Sequence, residues 1–125
     1  YSSAKRDICT IICIGGSGEK VTLRIAAQYA NIWNYVGGGV ENFQHKCEVL
    51  DSHCAAIGRD PKTIERSVQF QVNPDNLEPL RDTIRIFVNA GATHLVLGLR
   101  YPYSEGIVHR LAEEVAEPLT REFAR

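Results

Sequence analysis

The sequence contains no methionine, a single tryptophan and no block of like charge. Lysine and arginine together number 14 against 15 aspartates and glutamates, for a net charge of -1. A nucleic-acid-binding domain usually shows a basic face or stripe, so this balance argues against that class. No apolar run approaches the roughly 20 residues that a bilayer-spanning helix needs. The start, Tyr1-Ser2-Ser3-Ala4-Lys5-Arg6-Asp7, is polar and unlike a signal peptide. A cytoplasmic protein with no membrane or nucleic-acid partner is therefore expected. Because Met is missing even at position 1, the numbering is expected to begin inside a longer reading frame or after processing.

The four cysteines do not form a disulfide framework. Cys9 and Cys13 are separated by roughly 13 Å along a predicted strand. Cys47 and Cys54 are separated by roughly 10 Å along a predicted helix. Both spans exceed the Cα separation of about 7 Å that a disulfide tolerates. No CxxC occurs, which removes a zinc ribbon or a thioredoxin motif. All four cysteines are expected to be buried, reduced thiols. No His, Cys or carboxylate cluster has metal-ligand spacing, and His45 and His53 are read as facing solvent.

What is present is an ordinary apolar content, 44% over 125 residues, enough for one domain spanning residues 1–125. Residues 8–14 read as a strand covered on both faces. Leu23, Ala26, Ala27 and Ala30 then recur at helical spacing. Residues 32–36 form a second strand, ended by Gly37-Gly38-Gly39. Phe43, Cys47, Leu50, Cys54 and Ile57 make the clearest helical stripe, closed by Gly58 and Pro61. Ile64, Val68, Phe70 and Val72 alternate with Glu65, Ser67, Gln69 and Gln71, a strand with one polar face. Leu77, Leu80, Ile84 and Phe87 define a third helix, and residues 93–99 a fourth strand. Val108, Leu111, Val115 and Leu119 define the last helix, with Ser104 as its N-cap and Pro118 kinking or dividing it. The resulting βαβαβαβα order argues for a parallel α/β sheet. Periodicity alone leaves open a small doubly wound sheet and half of an eight-stranded barrel.

Gly15-Gly16-Ser17-Gly18-Glu19-Lys20 joins the first strand to the first helix. Glycines there let backbone N–H groups approach an anion, and the helix N-terminus adds partial positive charge. The loop is not a Walker A motif, because Glu19 precedes Lys20. It is not a dinucleotide fingerprint, because position 21 is Val. A phosphate site and a tight turn without a ligand both fit these residues.

The stretch from Ile12 to Asn34, with Gly15-Gly16-Ser17-Gly18-Glu19-Lys20, Leu23-Arg24-Ile25-Ala26-Ala27 and Trp33-Asn34, resembles the luciferase-like monooxygenase family. It is most similar to the branch that uses the deazaflavin coenzyme F-420. Asn31-Ile32 stands where that branch has Asp-Gly. Cys54-Ala55-Ala56-Ile57-Gly58-Arg59-Asp60-Pro61 and Asn89-Ala90-Gly91-Ala92-Thr93-His94 carry the likeness over nearly the whole chain.

The resemblance implies a TIM barrel, (β/α)8, of which this α/β chain holds only the C-terminal four βα units. It implies that Gly15, Gly16, Ser17 and Gly18 hold the phosphate of FMN or F-420. It places Trp33 and Asn34 near the cofactor, and Arg100 toward substrate at the C-terminal mouth. No catalytic residue is assigned. A homodimer of half-barrels is expected, because it would pair the free sheet edges and cover the inward face lined by Gln69 and Gln71. The expected function is a flavin- or deazaflavin-binding oxidoreductase domain. The alternative is a non-catalytic half-barrel that serves in assembly or binds a phosphate ligand.

Overall fold

The computed structural model describes residues 10–36 and 38–123. Four parallel strands lie in sequential order: β1 (Cys13–Gly15), β2 (Ile32–Val36), β3 (Glu65–Gln71) and β4 (His94–Gly98). Between them run α1 (Thr22–Tyr29), α2 (Val40–Ala56) and α3 (Glu78–Asn89). After β4 come α4 (Ile107–Leu111), a π-helical turn (Ala112–Ala116) and α5 (Glu117–Glu122). A doubly wound sheet reverses its strand order at a switch point. This sheet has no reversal, so each crossover lands on the next strand outward, as in a barrel wall.

The register puts Gly15, Asn34, Ser67 and His94 in one row across the sheet. Side chains in that row and in the next, Val36, Gln69 and Val96, point to one face. Trp33, Tyr35, Val68 and Phe70 point to the other, where the helices pack. Phe43 of α2 stacks on Trp33 with centroids 6.0 Å apart and meets Phe87 of α3 at 5.4 Å. Phe87 in turn meets Phe70 of β3 at 5.5 Å. One face of the sheet is thus a closed core and the other is open among the described residues.

Helix periodicity survives with local shifts. Phe43, Cys47, Leu50 and Cys54 are buried, but Ile57 is exposed because α2 has ended before it. Gly58, at φ +73°, takes the left-handed C′ position that the sequence predicts. In α4, which starts at Ile107 after the left-handed Gly106, the buried position belongs to Ile107 and Val108 is exposed. Ser104 contributes its carbonyl to Ile107 N–H rather than a side-chain cap. Pro118 divides the last helix through the π turn before it. The proline removes the donor that the Glu114 carbonyl would otherwise have, and Arg81 Nη1 donates to that carbonyl at 2.9 Å.

Two expectations fail at the first strand. It is short, and Ile11 and Ile12 are 61% and 42% exposed rather than covered on both faces. β1 is an edge strand with one bare face, so among the described residues no element shields the chain leading into it. For the same reason Cys13 is exposed, while Cys47 and Cys54 are buried free thiols. Burial pushes both buried thiols up from their ordinary range. Cys9 lies outside the described residues, as do residues 8 and 9 of the predicted strand.

Phe43 is the point where three elements meet. Phe43→Ala is expected to lower stability by about 3–5 kcal/mol, the range for removing a buried aromatic ring. Urea unfolding monitored by circular dichroism measures this. A loss below about 1 kcal/mol would show that the aromatic cluster does not hold the layers together.

Candidate functional site

The glycine loop sits at the C-terminal end of β1 and leads into α1, the end of a parallel sheet where ligands usually bind. Gly15, Gly16 and Gly18 are exposed and Ser17 is partly so. Gly16 has φ +110°, which L side chains rarely adopt. A Cβ on Gly16 would stand 3.1 Å from the Thr22 methyl, and one on Gly18 would stand 3.0 Å from Thr22 Oγ1. Turn geometry therefore already requires two of the glycines. Gly16 N–H lies against the Asn34 carbonyl at the end of the β1–β2 ladder, while the N–H groups of Ser17 and Gly18 have no acceptor among the described residues. Two successive donors are thus free for an anion.

The loop is fixed from both sides. Trp33 is fully buried, and its Nε1–H donates to the Gly16 carbonyl at 2.7 Å. Trp33 therefore positions the loop from the core and presents no surface for a ring to stack on. On the other side, Glu19 is gripped by α2. Lys46 Nζ lies 2.7 Å and His45 Nε2 3.3 Å from Glu19 Oε2. His53 Nε2–H donates to the Glu19 carbonyl at 2.7 Å, which sets its tautomer. The expectation that both histidines simply face solvent is corrected here. His45 is exposed yet touches Glu19, and His53 is half-buried against it.

Asn34 points to the open face, in the same row as Gly15. Its Nδ2 donates to Gln69 Oε1 at 3.4 Å, while its Oδ1 is buried without a partner among the described residues. Beside it, Ser67 Oγ and His94 Nδ1 share a hydrogen bond of 2.9 Å. Ser67 is buried although it belongs to the polar alternation of β3, because His94 of the neighbouring strand covers it. This row was not singled out from sequence. Only the register brings together residues 34, 67 and 94.

Arg100 is not close to the loop. It follows β4 at the opposite edge of the sheet, roughly 14 Å away across three strand spacings. It lines a cleft of about 440 Å³ with Gln71, Asn73, Tyr103, Ser104 and Ile107. It is exposed and makes no ion pair among the described residues. The predicted site thus divides into a loop with Asn34 at one edge and an arginine cleft at the other, both at the C-terminal ends of strands. Among the described residues, no three His, Cys or carboxylate groups are placed to hold a metal, and no helix is long and apolar enough to cross a membrane.

The Lys46 ammonium, by its hydrogen bond, holds the Glu19 carboxyl below the usual glutamate range. A carboxyl depressed in the folded state stabilises the fold above its unfolded pKa, and that contribution disappears as pH falls through the folded value. The melting temperature is therefore expected to fall as pH drops below about 4.3. The fall is expected to be shallower in Glu19→Gln. Parallel acid limbs in the two proteins would show that the Glu19–Lys46 contact adds no stability.

No protein-family model matches the sequence, and no curated protein is significantly similar to it. Solved structures do match. An F-420-dependent secondary alcohol dehydrogenase, solved with an F-420-acetone adduct, superposes with a TM-score of 0.69 at 18% identity. The superposition covers 90% of this chain and 50% of that one. The coenzyme F-420-dependent tetrahydromethanopterin reductase of Methanopyrus kandleri superposes with a TM-score of 0.65 at 13% identity, over 83% of this chain and 49% of that one. The chain therefore spans about half the length of these TIM-barrel neighbours, and shares with them the fold of four successive parallel βα units.

Proposed function

We propose that this chain is the coenzyme-binding half of a luciferase-like oxidoreductase that uses a deazaflavin. The observation that carries the reading is the exposed, preformed Gly15–Gly18 loop, with free N–H donors at Ser17 and Gly18 on a fold shared with two F-420-dependent enzymes. The residues fit the group. Ser17 and Gly18 would hold its phosphate through backbone N–H, Ser17 adds a hydroxyl, and Gly15 and Gly16 let the backbone approach closely. Asn34 lies in the same row as Gly15, but its unpartnered Oδ1 is covered and would reach a ligand only after its side chain turns. F-420 is favoured over FMN because both neighbours depend on F-420.

The coenzyme, when bound, supplies the hydride chemistry. The chain's own contribution is binding and orientation. Trp33 and the α2 grip on Glu19 keep the loop in its binding geometry before any ligand arrives, which limits the ordering loss on binding. Arg100 would recognise an anionic or strongly polar group of the substrate through its planar fork of donors.

The open face and the two sheet edges are completed, in this reading, by a second copy. Two chains about a two-fold axis provide eight strands, and Gln69, Gln71 and Asn34 of each then line a shared interior. The second reading is a half-barrel that binds a phosphate ligand without turnover. It is supported by the same loop, whose backbone donors would hold any phosphate without requiring turnover.

Fluorescence titration with F-420 tests the site. Saturable binding is expected, with FMN binding more weakly. Gly16→Val is expected to abolish binding and to lower the unfolding midpoint as well, because the side chain meets both the φ restriction and Thr22. Unchanged affinity in Gly16→Val would remove the loop from the site.

The solution mass at micromolar concentration, measured by light scattering, is expected to be twice that of the chain. A monomer would overturn the two-copy assembly. Binding without coenzyme reduction by any alcohol or other hydride donor would favour the non-catalytic reading.

A further inference from the structure

We propose that Lys46 is a charge-compensating residue for the glycine loop, neutralising Glu19 so that an anion can settle beside a carboxylate. The inference rests on the reading of the loop as a phosphate site. Glu19 follows Gly18 directly, so the segment that offers N–H donors to an anion ends in a fixed negative charge. Left alone, that charge would oppose a phosphate held by the loop that precedes it. Lys46 answers it with an ammonium 2.7 Å from Glu19 Oε2, and its side chain is only 14% exposed. Its stem is therefore packed and its head is committed to this contact.

The geometry separates charge from position. The Glu19 backbone is held independently, through its carbonyl, by His53 Nε2–H at 2.7 Å. Trp33 holds the Gly16 carbonyl from the opposite side. Removing the Lys46 ammonium thus leaves the loop's two backbone anchors in place and chiefly uncovers the Glu19 charge. His45 Nε2, at 3.3 Å and more exposed, adds a second contact to the same oxygen but carries charge only when protonated.

The test is a fluorescence titration of the whole chain with F-420 and with the same deazaflavin lacking its phosphate. Lys46→Ala is expected to weaken F-420 binding by about tenfold at low ionic strength. The loss is expected to shrink as salt is raised. Binding of the phosphate-free deazaflavin is expected to stay the same. The double variant Glu19→Gln/Lys46→Ala is expected to return to within about twofold of the parent, because the offending charge is then absent. A purely structural Lys46 would instead leave the double variant at least as weak as the single one, with equal losses for both ligands and no salt dependence. That pattern, or parent-like F-420 affinity in Lys46→Ala, would overturn the proposal. Failure of the parent protein itself to bind F-420 would overturn the loop reading, and this inference with it.

Discussion

The buried indole of Trp33 ties the hydrophobic core to the end of the sheet where the glycine loop lies. Its ring lies nearly parallel to Phe43, at 4°, and its N–H reaches out of the core to the Gly16 carbonyl. Phe43 carries the contact on to Phe87 and, through it, to Phe70. The loop's geometry is thus anchored on an aromatic chain running from β2 through α2 and α3 to β3. A loop held this way keeps its N–H donors in place in the free protein, which is the condition for binding a small anion without a large ordering penalty.

The same logic explains why so short a helix as α1, with 8 residues, can follow the loop. An isolated helix of that length is unstable in water. α1 is supported at both ends by later parts of the chain. Near its start, α2 grips Glu19. At its end, Arg59 donates from Nη1 to the Ala27 carbonyl at 3.0 Å and from Nη2 to the Ala30 carbonyl at 2.7 Å. A guanidinium there meets both the unpaired carbonyls and the negative end of the helix dipole. The turn after α2 that contains Gly58 therefore does more than end a helix, because it delivers Arg59 to α1.

The elements were legible in the sequence because each writes its own period. Residues 32–36 read as a strand and are one, and the Phe43-to-Cys54 stripe is the buried face of α2. What was illegible is whatever depends on residues far apart in the chain. Glu19 and His53 are 34 positions apart, and nothing local marks either as the other's partner. Ser67 looks like a solvent residue until β4 brings His94 beside it. Arg66 looks misplaced in a strand, on the face that packs the helices, until it is seen to reach the Asp51 carboxylate at the rim of α2. The glycine motif itself was visible, but its free donors were not, because a hydrogen bond that is not made leaves no trace in a sequence. Likewise, strand order cannot be read from periodicity, so the choice between a doubly wound sheet and a barrel wall waited for the register.

The open face decides how far this fold can stand alone. Its middle row is polar, with Asn34, Ser67 and His94, and its next row mixes Val36 and Val96 with Gln69. Such a surface is a poor general core, because glutamine and asparagine need hydrogen-bond partners when covered. It is also an unusual solvent face, because Val36 is left 59% exposed beside an asparagine oxygen that has no partner among the described residues. These features agree with a surface covered by another polar wall across a space wide enough to admit water or a ligand. In the two-copy reading, that second wall is the same surface rotated. Val36 and Val96 then gain cover, and Gln69 and Gln71 face the space that a coenzyme anchored on the glycine loop would enter.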